Sequence, residues 1–325
     1  MLTASVNRRP AMRRFIIRRL LLIILVLFLV SLIVFVITSV IPGDTAQMIL
    51  GQSATPANLA ALRHQLGLDQ PPPLRYLQWL GHLLTGNLGN SPTMGLPIGP
   101  LLLNKLGNSA ILAVAAFLFT IPLSLLLGVI AGLNKNRWPD SVISLGTLAG
   151  VAQPEFVTGT FLIVIFAIWL HILPATSSFG SDQSVLQNIA ALVLPVITLS
   201  LVLLAYIGRM TRTNVIDVME TDYIRSAILK GLPNRTVVMR HALRNALLPS
   251  VTIIASNVGW LLGGIVVTES LFGYPGIGRL LLLAVQSRDV VVIQDITLLI
   301  ALIFAFSNLG ADILYAVLNP RVRFA

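Results

Sequence analysis

Six stretches of this chain are each long and apolar enough to cross a bilayer as a helix, a length of about 20 residues. They run from Leu20 to Ile41, without a single charge, and from about Leu106 to Leu133, Ser141 to Leu170, Leu186 to Gly208, Leu248 to Phe272 and Val290 to Leu318. Within lipid each backbone polar group has to be bonded inside the protein, which a helix does by itself. The expectation is therefore an all-α integral membrane protein with six transmembrane helices. Several stretches exceed the minimum, which permits tilt. Charge content agrees: 10% of residues are charged, against about a quarter in a soluble domain.

The remaining charge gives the direction of threading. With the N-terminus inside, the inner face carries Arg8, Arg9, Arg13, Arg14, Arg18, Arg19, Lys135, Arg137, Arg209, Arg212, Arg225, Lys230, Arg235, Arg240, Arg244, Arg321 and Arg323. The outer face carries Arg63, Arg75, Lys105, Arg279 and Arg288. This is the positive-inside pattern. It accounts for most of the net charge of +10 without nucleic acid, and it puts both termini in the cytoplasm. The first apolar run is too long for a signal peptide and lacks a small-residue cleavage site, so it reads as an uncleaved span. The resulting divisions are a basic cytoplasmic N-terminus (1–19), a first span (20–41), an external segment (42–105), a five-helix core (106–318) that includes a cytoplasmic loop (209–247), and a cytoplasmic C-terminus (319–325).

Several chemistries are excluded. There is no cysteine, hence no disulfide, thiol nucleophile or thiolate metal site. His64, His82, His171 and His241 are scattered without ligand spacing, so a zinc site is not expected. No nucleophile, base and orienting residue can be assembled from so few polar groups. The glycine-rich stretch TESLFGYPGIGRLL (268–281) follows a membrane span rather than a strand and lacks the GK[ST] of a phosphate-binding loop. The subunit is read as non-enzymatic, without metal or cofactor of its own.

In the external segment, Thr55 is expected to cap a helix starting at Pro56 and ending before Gly67. A second helix is expected from Pro73 to Leu84, with Tyr76, Leu77 and Leu80 on one face. Its role is either contact with a partner or cover over a pore mouth.

The basic segment DYIRSAILKGLPNRTVVMRHALRNALLP (222–249) lies between the fourth and fifth spans. Tyr223, Ile224, Ala227, Ile228 and Leu232 fall on one helical face, away from Asp222, Arg225 and Lys230. Gly231-Leu232-Pro233 interrupts, and Pro233 suits the first turn of a new helix. That helix takes Val237, Val238, His241, Ala242 and Leu248, with Arg240 and Arg244 beside them. Two readings stand on the residues alone: an amphipathic pair held to anionic headgroups, or a rigid docking element for a cytoplasmic partner.

The same segment resembles the cytoplasmic loop of bacterial ATP-binding-cassette importer permeases, whose signature is Glu-Ala-Ala, three residues, then Gly. Here that register reads Arg225-Ser226-Ala227, three residues, Gly231. The longer stretch is similar to the dipeptide/oligopeptide/nickel permease subfamily. So are LGLDQP (66–71) with YLQWL and GNLGNS, the stretch 268–281, and NLGADILYAVLNPRVR near the C-terminus, with Asn87 and Asn319 where Asp is usual. Together these cover nearly the whole chain and resemble the permease that comes first in such operon pairs. The resemblance implies a type I importer permease fold with a small helical external segment. It implies transport of di- or oligopeptides, glutathione-like molecules, chelated nickel or sugars. The implied partners are a second homologous permease, two cytoplasmic ATPases that use ATP and Mg, and an external solute-binding protein. Asp222, Tyr223, Arg225, Ala227, Lys230, Gly231, Arg240, His241 and Arg244 become the expected ATPase-coupling residues. An ion-driven secondary transporter and a non-transporting scaffold are the alternatives; no convincing internal repeat supports the first.

Polar residues inside the spans are costly. Glu155, beside a bend expected at Pro154, lines the pathway or forms a structural pair. Glu269 is a gate or a loop anchor. Asn257 is a pathway candidate whose default, like that of Asn308, is a bond between helices. Asp312 is expected to pair with Arg321. The pairs Gly128/Gly132, Gly146/Gly150 and Gly259/Gly263 are expected where helices approach closely.

Overall fold

A computed structural model describes residues 8–40, 45–51, 54–65, 67–178 and 188–318. Among them there is no strand, only an isolated bridge between Asn90 and Pro97. Four helices are long and apolar enough to cross a membrane, or up to six if each of two bent pairs makes one span. The chain divides into two compact units. One holds the described part of Met1–Leu106 with Leu280–Leu309; the other holds Gly107–Arg279 with the described part of Gly310–Asn319.

The first unit starts with α1 (Arg8–Val40), which begins well before the expected span because its arginines continue the helix. Short helices α2 (Thr45–Leu50), α3 (Pro56–Gln65) and α4 (Pro72–Leu84) follow. The Asn58 amide donates to Thr55 Oγ1 at 3.3 Å, so Thr55 caps α3 as its sequence position suggests. In α4, Tyr76 is buried but Leu77 is 63% exposed. The expected face is thus corrected at one position: one residue onward is about 100° around a helix, so Leu77 stays out while Tyr76 turns inward and Leu80 is half-buried. It packs edge-on to Phe35 of α1, centroids 5.2 Å apart, and shares a 2.8 Å hydroxyl bond with Ser31. Later residues of the chain join this unit. Gln294 Nε2 donates to Thr38 Oγ1 at 2.8 Å, and Trp79 Nε1 donates to Asp295 Oδ1 at 3.0 Å. Ser91 and Thr93 donate their hydroxyls to Asp289 Oδ2, so the loop after α4 is tied by side chains rather than by a sheet.

The second unit contains most of α5 (Ile98–Leu133), then α6 (Trp138–Ala152), α7 (Glu155–Leu162) with a π-helical extension (Ile163–Trp169), and α8 (Ile189–Met219). Next come α9 (Asp222–Leu229), α10 (Asn234–Thr236) with a π segment (Val237–Ala242), α11 (Leu243–Ser256) and α12 (Val258–Phe272). α13 (Ile277–Gln286) and α14 (Val290–Leu318) complete the order. α8 is the centre: Leu192, Leu199, Leu203 and Ile207 bury against Leu112, Ala116, Ile265 and Tyr274. Pro122, Pro195 and Pro249 all lie inside continuous helices. Membrane helices tolerate this because neighbouring groups satisfy the freed carbonyls.

Two expected spans are not straight rods. The third breaks where Gln153 goes extended and Pro154 caps α7. The two halves meet at 109°, far beyond a proline kink, because the break removes helical geometry from two consecutive residues. The fifth is divided at Asn257 into α11 and α12.

The glycine pairs separate into two outcomes. A Cβ on Gly128 would stand 2.6 Å from Gly208 O and Thr211 Cβ, and one on Gly132 would stand 2.7 Å from Val215 Cβ; this pair is a close helix crossing onto α8. By contrast Gly146 and Gly263 face open space, and Gly150 has only a 3.7 Å neighbour. The spacing alone does not distinguish a glycine against a helix from one against lipid.

Candidate functional site

The loop between the fourth and fifth spans folds as two short helices with a bend. Thr221 precedes α9 in extended conformation and Asp222 occupies its first turn, where a negative charge suits the helix N-terminus. Gly231 ends the helix with φ +75°, a conformation that glycine adopts without penalty. Pro233 then caps α10. The bend is held by a small core of its own: Ile224 and Ala227 of α9 pack on Val237 and Ala242, with Val218 and Met219 of α8 alongside. Asn245 Nδ2 donates to the Tyr223 hydroxyl at 3.0 Å, which ties α9 to α11.

The outward side is different. Arg225, Lys230, Arg240 and Arg244 are exposed and His241 is half-buried. Asp222 and Arg225 approach only to 3.9 Å in a fully solvated setting, a pair worth little. Tyr223, Ile228, Leu229, Leu232 and Met239 are exposed as well. The expected apolar face is corrected accordingly: Ile224 and Ala227 turn in, whereas Tyr223, Ile228 and Leu232 remain out. Leu248 of the second helix is also exposed. All six of these exposed apolar residues lie outside the candidate membrane spans.

Two ion pairs lie beside the loop's root. Arg212 of α8 grips Asp140 of α6 with both donors, Nε to Oδ1 at 2.5 Å and Nη2 to Oδ2 at 2.8 Å. Asp140 also accepts from the Asn136 amide and the Ser144 hydroxyl and is 4% exposed. Lys135 bonds Glu220, the residue after α8, at 2.5 Å. The Lys135 ammonium, by hydrogen bond and charge, holds the Glu220 carboxyl below its ordinary range. Sequence reading counted Lys135 and Arg212 only as topology charges. The available signal was a lone carboxylate, Asp140, just after the basic pair Lys135 and Arg137; its partner 72 positions on could not be read from spacing.

The polar residues of the spans fall in three separate settings. Glu155 is in the first turn of α7, half-buried, with its carboxylate against Gly264 of α12: a Cβ there would stand 2.7 Å from both oxygens. Asn257 donates to Ile253 O of its own preceding turn at 2.8 Å. That corrects the expectation of a bond between helices: the side-chain amide folds back onto the same carbonyl that accepts from the Asn257 backbone N–H at 3.1 Å. Glu269 is fully buried. It accepts from Ser109 Oγ at 2.5 Å, Gly278 N at 2.7 Å and Arg279 N at 3.3 Å, while Gly276 packs directly on its carboxylate. Tyr274 adds a 2.6 Å bond to Asn108 O. Those are the bonds of an anchor for the 273–279 turn. The Asp312–Arg321 pair lies partly outside the described residues, because Arg321 is beyond 318.

Long apolar helices and a helical loop with a basic exterior define a multi-pass membrane protein. The chain belongs to the family described as "Binding-protein-dependent transport system inner membrane component", whose model matches residues 124–324, with the family's N-terminal model matching 12–97. It is 34% identical over 310 residues to a "Probable peptide ABC transporter permease protein y4tP" of Sinorhizobium fredii, covering 95% of this chain and 99% of that one. It is 36% identical over 313 residues to the "Glutathione transport system permease protein GsiC" of Shigella flexneri, covering 96% and 100%. A solved structure of an amino acid ABC transporter aligns over 69% of this chain and 94% of its own, at 16% identity and a TM-score of 0.49. The chain is thus the permease subunit of an ATP-binding-cassette importer, a multi-pass membrane protein and not itself an enzyme.

Proposed function

We propose that this permease imports di- or oligopeptides, with glutathione-like molecules included, and forms half of the translocation pathway with a second homologous permease. Relatives named for peptide and glutathione transport support the substrate class. Two cytoplasmic ATPases, which use ATP and Mg, dock on the α9–α10 loop, and an external solute-binding protein delivers the substrate. Both termini are cytoplasmic, an orientation supported by the inside bias of Lys and Arg.

The observation that carries the coupling assignment is the two-sided build of the loop. Its inner side has its own core, so it moves as a rigid piece. Its outer side presents Arg225, Lys230, Arg240 and Arg244 with exposed Tyr223, Ile228 and Leu229, a mixture that suits a protein surface better than lipid headgroups alone. Asp222, Ala227, Gly231 and His241 position that surface. Closure of the ATPases pulls the loop and shifts the helices joined to it. Glu155 and Asn257 are assigned to the pathway, and Glu269 to holding the outer turn.

The test is reconstitution of the full complex in vesicles with Gly231→Trp in this subunit. The expected result is loss of ATP-driven dipeptide uptake and of ATPase copurification, with membrane insertion intact. Normal uptake with docked ATPases overturns the coupling assignment. Uptake driven by an ion gradient without ATPases overturns the importer assignment for this chain.

A further inference from the structure

A cavity of about 300 Å³ opens within the first unit, between α4, the loop 87–92 and the start of α14. That is the lower end of the range for small-ligand sites, about 300–1,000 Å³. Its wall is unusual for a chain so poor in charge: it combines Asp295, Arg75, Trp79, His82, Gln78 and Gln294. Asp295 is 3% exposed. Its Oδ1 accepts from Trp79, but its Oδ2 is buried without a hydrogen-bond partner. A buried carboxylate oxygen left unmatched is costly, and buried charges are ordinarily paired. The fold supplies no cation to Asp295: Arg75, on the same wall, forms no ion pair among the described residues. One acid and one guanidinium therefore line the same small cavity without meeting. Around them the wall offers amide side chains and an indole face rather than a second carboxylate, so a metal ion has too few oxygen ligands.

We propose that this cavity binds a zwitterion of amino-acid to dipeptide size, with the ligand's ammonium on the Asp295 carboxylate and its carboxylate on Arg75. A free ammonium supplies the cation that the Asp295 carboxylate lacks, and a guanidinium suits a carboxylate by its paired donors. The indole of Trp79 lines the same cavity and donates to Asp295 Oδ1. The proposal rests on the importer reading only for the ligand's physiological origin, a substrate waiting at the outer segment before it enters the pathway. It does not depend on that reading for the existence of the site.

The experiment uses the full-length purified permease in detergent, with L-alanyl-L-alanine as probe. Binding is read by titration calorimetry and by tryptophan fluorescence, because the Trp79 indole is bonded to the same carboxylate. Saturable binding is expected. N-acetylation or C-terminal amidation of the probe should weaken it about tenfold or more, the scale of one lost charge-assisted bond. In Asp295→Asn the free and acetylated probes should bind alike, and in Arg75→Gln the free and amidated probes should bind alike. Asp295→Asn keeps the side-chain shape and Arg75→Gln leaves a shorter neutral amide, and the melting temperatures of both check that the fold persists. No saturable heat or fluorescence change, as for a cavity holding water alone, overturns the proposal. So does unchanged discrimination in the two variants. Uptake by the reconstituted complex is measured in parallel: intact ATP-driven uptake with no binding here sinks the site and leaves the importer reading standing.

Discussion

Two glycine-marked turns of this molecule look alike in sequence and are opposites in structure. The turn at Gly231, between α9 and α10, is open: nothing lies within 4 Å of where a Cβ would be, and cations surround it. The turn at Gly273–Gly278, after α12, is closed on the fully buried Glu269, with Gly276 pressed against that carboxylate. In the first, glycine is required by its φ alone; in the second, Gly273 has a left-handed φ as well, but Gly276 and Gly278 are required by the space around them. A turn that is open in the isolated subunit has room for a partner. A turn filled by its own chain is a lock.

The largest effect is expected at the lock. Glu269→Ala strips the acceptor from the Ser109 hydroxyl and from the amides of Gly278 and Arg279. Leaving these buried donors unmatched should cost about 3–5 kcal/mol, read as a lower melting temperature in detergent and lower yield. A variant that melts like the parent would show that the turn is held by something other than this carboxylate.

Next comes the Asp140–Arg212 pair at the root of the open loop. Asp140→Asn leaves a guanidinium whose side chain is 28% exposed without its counter-ion. Breaking a fully buried pair costs roughly 3–5 kcal/mol; partial solvation here reduces the expected loss to about 2 kcal/mol. Asp140→Asn with Arg212→Met together should recover most of that, because no lone charge remains. Equal losses in the single and double variants would refute the pairing argument.

At the open turn, Gly231→Val should strain the backbone by about 1–2 kcal/mol and Gly231→Asn by less, since Asn tolerates a left-handed φ. Hydrogen exchange of α9 should report the strain while the melting temperature of the whole protein barely moves. If Gly231→Val destabilised the subunit as much as Glu269→Ala, the contrast between the turns would collapse.

What the sequence made legible follows the same divide. Apolar run length located the long helices, because lipid fixes the number of residues a span needs. The φ requirement at Gly231 and the break at Pro233 are local, and both were readable. The inner half of the loop face, Ile224 and Ala227, was readable; the outer half was not, since an amphipathic stripe shows what can be buried and not how much cover exists. Glu269 and Ser109 are 160 positions apart, and Asp140 and Arg212 are 72 apart. No periodicity links such pairs. Pro154 signalled a bend and biases the residue before it, Gln153, out of the helix; the size of the angle, 109°, was not readable.

The smallest expected effect is at Lys135–Glu220, also beside the open loop but with side chains 46% and 58% exposed. Lys135 depresses the Glu220 carboxyl from its ordinary value of 4.5, so the folded state favours the ionised form. The contribution is present above that ordinary value and is lost as pH falls through the depressed one. Solvent screens it, so lowering pH from 6 to about 4 should change little, and only stronger acid should release the pair. Lys135→Met removes the depression: Glu220 should then titrate near its ordinary value by NMR, with melting unchanged at neutral pH. A clear loss of neutral-pH stability in Lys135→Met would mean the open loop depends on its surface charges for its own fold, and its cations would no longer be free to serve as a docking surface.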